Sequence, residues 1–155
     1  MTPSKQRKDK DIKILELFWK KIGSRVDIMD TKQHDYILSI TSHIPHLIAY
    51  NIVNTSINLQ DEKKSNIVKF SAGGLRDFTR IAASNPIMWR DIFIQNQKNT
   101  LTMIDKFIEN LEELKKAISH KDEKKLENIF NKTKKIRKDI IEAGQDVKKP
   151  DFGRK

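Results

Sequence analysis

The chain has 155 residues, a net charge of +10, 37% apolar and 34% charged residues, which suits one domain or one domain with a tail. Five glycines and four prolines are too few for a turn-rich β fold, and the lack of cysteine excludes disulfides and thiolate metal sites. No apolar leader follows Met1 in "MTPSKQRKDKD", and the longest apolar run, "ILSITSHIPHLIAYNIV", is too polar to cross a membrane, so the cytoplasm is the expected compartment.

Ile12, Leu15, Trp19 and Ile22 recur at helical spacing over residues 9–22, and Gly23 supplies a stop. In "SRVDIMD", Val26 and Ile28 alternate with polar neighbours, which allows at most one short strand near 25–29. Asp30 or Thr31 can cap a helix running over residues 32–58. Inside it, Pro45 has no amide hydrogen for the carbonyl of Thr41, so a kink is expected there. "LQDEKKSNIVKFSAGG" reads as a loop that can hold a short helical turn. A brief helix over 74–83 follows, and then Asn85 as cap with Pro86 at the first helical position starts a long one. Its stripe of Leu101, Ile104, Phe107, Ile108, Leu111, Leu114 and Ile118 ends at "SHKD". Leu126, Ile129, Phe130, Ile136 and Ile140 mark a last helix that runs back. After Gly144 periodicity ceases, so the predicted architecture is an all-α domain over 31–142, preceded by the helix and short extended piece of residues 1–30 and followed by a mobile tail over 143–155.

The positive charge suits a nucleic-acid binder or simply a lysine-rich solvated surface. The second reading is favoured, because arginines and aromatics do not alternate along the basic stretches as base stacking requires.

Two polar clusters stand out against this background. The first is "SHIPH": at about 100° per residue, Asp35, Ser42 and His46 share one line on the helix, with His43 a quarter-turn away. Ordinary core histidines, a metal site of His43, His46 and Asp35, or a hydrogen-bonding face for a small polar ligand would each explain it. Histidines three apart without further ligands are weak evidence for metal, and none is expected. The second cluster is "GGLRDFTRIAASNPIMWRDI". Gly73 and Gly74 allow close backbone approach, and Asp77 can orient the Arg80 fork toward a carboxylate. Trp89 lies one turn into the next helix, whose amino-terminal dipole favours an anion.

Together, "HDYILSITSHIPHLIA" and "GGLRDFTRIAASNPIMWRDIFIQN" resemble the carboxy-terminal domain of prephenate and arogenate dehydrogenases over residues 12–120. The resemblance implies a homodimeric helical domain that supplies much of the substrate pocket. It also implies oxidative decarboxylation in tyrosine biosynthesis, with hydride passing to NAD or NADP held by a separate amino-terminal domain. Residues 1–30 then look like the connector leaving that domain. Carried over by position, Arg80 pairs a substrate carboxylate, Ser42, His43 and His46 face the pocket, and Gly73 gives a backbone contact. Trp89 is a pocket residue, Asp77 gates or orients, and Asp35 belongs to the same orienting group. Ala72 departs from a glycine and Asn85 from an aspartate common among relatives.

No segment reads as strand, GxGxxG loop and helix, so the chain is expected to carry neither the cofactor site nor a catalytic residue. Prephenate or arogenate is the expected ligand and tyrosine a candidate inhibitor. A free-standing module sensing tyrosine or a related aromatic acid is the alternative, with nucleic-acid binding behind it.

Overall fold

A computed structural model describes residues 1–58 and 66–146. Every regular element among them is helical, as the composition requires. Helix α1 spans Asp9–Lys21 and ends where Gly23 turns through a φ of 91°, a conformation that suits a residue without a Cβ. The alternating segment after it does not become a strand. Instead, the Met1 carbonyl accepts from the Met29 amide at 3.1 Å, and the Met1 amino group donates to the Asp27 carbonyl. One such pairing builds no ladder, and Ile28 stays half exposed.

Asp30 caps helix α2, Thr31–Leu38, by accepting from the Gln33 amide at 3.0 Å. The expected kink takes a specific form. Ser39–His43 is a π-helical turn, in which the Ile44 amide reaches back five residues to the Ser39 carbonyl. Helix α3, Ile44–Ile57, continues from it, with Pro45 in its first turn where a missing amide hydrogen is tolerated. The wide turn therefore sits just ahead of the proline.

Residues 66–69 form one helical turn, the short turn allowed in the loop; residues 59–65 of that loop lie outside the described residues. Helix α4 spans Gly73–Ala82, and α5 spans Pro86–Gln95, capped by Asn85, whose Oδ1 accepts from the Ile87 and Met88 amides at 3.0 Å each. The long helix expected from Pro86 onward is in fact two, because Asn96 leaves helical geometry with a φ of −101° and ψ of 34°. Helix α6 then runs over Gln97–Ser119. Lys121, at a φ of 54°, makes the reversal, and Asp122 caps α7, Glu123–Glu142. The Lys125–Glu113 ion pair at 3.0 Å ties α7 back to α6, as the sequence predicts. Residues 147–155 of the tail lie outside the described residues.

The chain divides into two units. The first comprises residues 1–48 and 84–103, and its buried residues are Ser39, His43, Ile44, Trp89, Thr100 and Met103. The second comprises 49–83 and 104–155, with Ala49 and Ala117 buried among its described residues. No helix among the described residues is long and apolar enough to cross a membrane.

Candidate functional site

The π turn comes after Asp35 and ends at His43, so the line of Asp35, Ser42 and His46 drawn at a constant α-helical step does not hold across it. His43 and His46 follow at the three-residue spacing that puts two side chains on one helix face. Both rings meet Trp89. The His46 imidazole stacks on the indole with centroids 3.7 Å apart and planes 21° apart, and His43 meets the same indole edge-on at 6.3 Å. Phe93, one turn along α5, closes the cluster at 5.6 Å from Trp89 and 6.4 Å from His43. The spacing of Trp89 and Phe93 on α5 follows from the cap at Asn85, which fixes where that helix begins.

Hydrogen bonds hold these rings in place. His46 Nδ1 lies 2.9 Å from the Ser42 carbonyl, and His43 Nδ1 lies 3.3 Å from Asn96 Nδ2. Asn96 also donates to the Asp35 carbonyl at 2.7 Å, which joins the end of α5 to α2. His43 is 7% exposed, and this burial pushes its pKa below the ordinary histidine value. Asp35 opposes that effect by favouring the charged ring, while His34 and His46 reinforce it. Trp89 Nε1 is buried and finds no acceptor among the described residues. An indole N–H without a partner usually marks a place where something else supplies the acceptor.

Asp35 and Ser42 stand at the margin. The Asp35 carboxylate pairs with its neighbour His34 at 3.0 Å and is half exposed, so its backbone carbonyl, not its side chain, joins the histidine cluster. Ser42 is half-buried and likewise contributes its carbonyl.

In the second unit, α4 begins at Gly73 without a side-chain cap, since Ala72 has no group to offer. Its first amides are therefore open to an external acceptor. Asp77 and Arg80 meet as the sequence predicts, but loosely, with Arg80 Nε 3.8 Å from Asp77 Oδ1 and the arginine side chain 72% exposed. That pair contributes little to stability and leaves the guanidinium reaching into solvent.

Asn96 is the residue that sequence reasoning missed. Its signal was present in "IQNQKN", five polar residues after an apolar stretch, but without glycine or proline nothing there marks which of them ends the helix. No group of three histidine or acidic side chains among the described residues is arranged for a metal ion. No strand occurs among them either, so they provide no strand–glycine loop–helix unit for a dinucleotide.

Known proteins resemble this chain in sequence and fold. Residues 30–132 match the family described as "Prephenate dehydrogenase, dimerization domain". The chain is 35% identical over 137 residues to the cyclohexadienyl dehydrogenase of Zymomonas mobilis, covering 88% of this chain and 47% of that protein. It is 31% identical over 138 residues to the prephenate dehydrogenase of Bacillus subtilis, covering 88% of this chain and 37% of that one. Among solved structures, the prephenate dehydrogenase of A. aeolicus in complex with hydroxyphenyl propionate and NAD+ superposes with a TM-score of 0.82 at 37% identity. That match covers 90% of this chain and 48% of the other. The chain thus spans between about a third and a half of its relatives' length. It belongs to the prephenate dehydrogenase family and corresponds to that family's carboxy-terminal dimerization domain.

Proposed function

We propose that this chain is the dimerising and substrate-binding part of a dehydrogenase acting on prephenate or arogenate in tyrosine biosynthesis. The observation that carries the reading is the His46–Trp89 stack beside buried His43, with an indole N–H that has no acceptor among the described residues. A flat aromatic wall with polar edges suits a six-membered ring bearing carboxylate and hydroxyl groups. By resemblance to the family alone, Arg80 on α4 of the second unit is the candidate fork for a substrate carboxylate, with Asp77 orienting it and Gly73 offering a backbone amide. Ser42 and Asp35 shape the cluster through their carbonyls.

NAD or NADP is assigned in this proposal to a separate domain, since a dinucleotide is ordinarily held by a strand, glycine loop and helix, and the regular elements among the described residues are helical. The A. aeolicus relative was solved with NAD+, and this chain covers 48% of it. This chain's own work would be to bind the ring, orient it and exclude water around it.

Homodimer formation is part of the proposal. Leu101, Ile108, Leu111 and Ile118 on α6 are each between 50% and 63% exposed in the single chain, as are Leu17 and Phe18 on α1. So much apolar side-chain surface is more than a small monomer usually leaves uncovered. Light scattering should give twice the 18.1 kDa chain mass.

The test of function is a chimera in which the Zymomonas nucleotide domain precedes residue 1. It should reduce NAD or NADP when given prephenate or arogenate, and Arg80→Ala should lower the rate. A folded, dimeric chimera that neither binds nor oxidises either compound would contradict the proposal.

A further inference from the structure

The two histidines of the cluster are chemically alike, but their hydrogen-bond partners are not. A backbone carbonyl can only accept, so the Asn96 atom 2.7 Å from the Asp35 carbonyl must be the amino nitrogen. The opposite amide orientation would set two acceptors face to face. The Asn99 amide nitrogen, 2.8 Å from Asn96 Oδ1, completes the network with that orientation. The amino group has only hydrogens to offer, and its nitrogen also lies 3.3 Å from His43 Nδ1. That ring nitrogen must therefore present a lone pair, and the ring proton sits on Nε2.

At His46 the logic runs the other way. Its Nδ1 lies 2.9 Å from the Ser42 carbonyl, again an obligate acceptor, so here Nδ1 carries the hydrogen. In the neutral ring, Nε2 is then the lone pair.

We infer that Asn96 is a positioning residue that holds His43 in the Nε2–H tautomer, opposite to that of His46, so the pair offers a ligand one donor and one acceptor. Such a pair recognises a molecule presenting an acceptor oxygen and a hydroxyl donor, and it disfavours one presenting two acceptors. Trp89 and Phe93 meet the His43 ring edge-on and hinder a ring flip that would exchange the two nitrogens. His34, Asp35 and His46 are the titratable groups whose charge reaches His43. None of them displaces the Asn96 contact at Nδ1. The consequence for ligand choice rests on the function proposed above; the tautomers do not.

The test is long-range nitrogen–proton NMR of the histidine ring nitrogens in the whole chain, in mildly alkaline solution, assigned with His43→Gln and His46→Gln. The expected wild-type spectrum shows His43 protonated at Nε2 and His46 at Nδ1. Asn96→Asp replaces the donor with an acceptor and should move the His43 proton to Nδ1. A wild-type His43 carrying its proton on Nδ1, or both rings in one tautomer, would overturn the inference, as would a folded Asn96→Asp variant with an unchanged His43. Should that variant not fold, the wild-type spectrum still decides. Calorimetry with hydroxyphenyl propionate then reads the ligand side. His43→Asn, whose amide nitrogen sits near the Nδ1 position, should bind about tenfold more weakly than His43→Gln, whose amide nitrogen sits near Nε2. Equal affinities alongside the expected spectrum would count against the function proposed and leave the tautomers standing.

Discussion

Trp89 allows stability and ligand binding to be separated by two substitutions. The side chain is 6% exposed and lies within aromatic range of His46, Phe93 and His43. Trp89→Ala removes that packing and leaves a cavity, which should cost about 3–5 kcal/mol. Trp89→Phe keeps a ring in the cluster and gives up about 1 kcal/mol of apolar burial. It also deletes Nε1–H, which is buried with no acceptor among the described residues. Leaving such a donor unpaired costs about 1–3 kcal/mol, so removing it offsets the lost area. The net change for Trp89→Phe should lie between about zero and about 2 kcal/mol of stabilisation. Urea denaturation followed by far-ultraviolet circular dichroism would measure both, at one protein concentration because a dimer's stability depends on it. If Nε1–H becomes a donor to bound ligand, Trp89→Phe should still weaken hydroxyphenyl propionate binding about tenfold. A Trp89→Phe variant destabilised as much as Trp89→Ala would refute the reasoning, because the indole N–H would then be paired in the free protein.

Arg80→Ala should leave stability within about 0.5 kcal/mol of wild type, since the side chain is 72% exposed and its ion pair is long. The same change should weaken ligand binding by about 2–4 kcal/mol in calorimetry, and Arg80→Lys should restore little of it. Asn85→Ala removes the acceptor of two amide bonds and should cost about 1 kcal/mol, a few degrees in thermal denaturation. The depressed pKa of His43 sets a pH dependence. The unfolded chain binds the proton first, so stability is full above the ordinary histidine value. It should fall as pH drops below about 6.5, by at most about 1.4 kcal/mol per pH unit for this group, until the folded-state value is passed. Denaturant titrations across that range should show the slope reduced in His43→Gln.

The helix starts were legible because capping chemistry is local. Asp30, Asn85, Pro86 and the Gly23 stop each act through neighbours a few residues away, and each stands where the sequence puts it. Pro45 announced a distortion, but the form it took depends on which carbonyl the next amide can reach. A π turn over Ser39–His43 cannot be read from a wheel that assumes one constant step. It changes the register of both histidines relative to Asp35, and His43 and His46, three residues apart, reach the same indole. The break at Asn96 was hidden for a related reason. Its side chain is engaged by Asp35 and His43, 61 and 53 residues away in sequence, and no local pattern encodes such partners. Near 25–29 the sequence allowed at most one short strand, and none forms, for alternation makes a strand only where another strand takes up its hydrogen bonds. The Asp77–Arg80 contact was legible from its spacing, though not its looseness.

The most direct measurement of the central proposal is a calorimetric titration of prephenate, and separately arogenate, into the chimera carrying the Zymomonas nucleotide domain, with His46→Ala alongside. The account predicts saturable binding of one of the two compounds, weakened at least about tenfold when the ring stacked on Trp89 is removed. Binding that His46→Ala leaves unchanged, or no binding to a folded dimer, would contradict it.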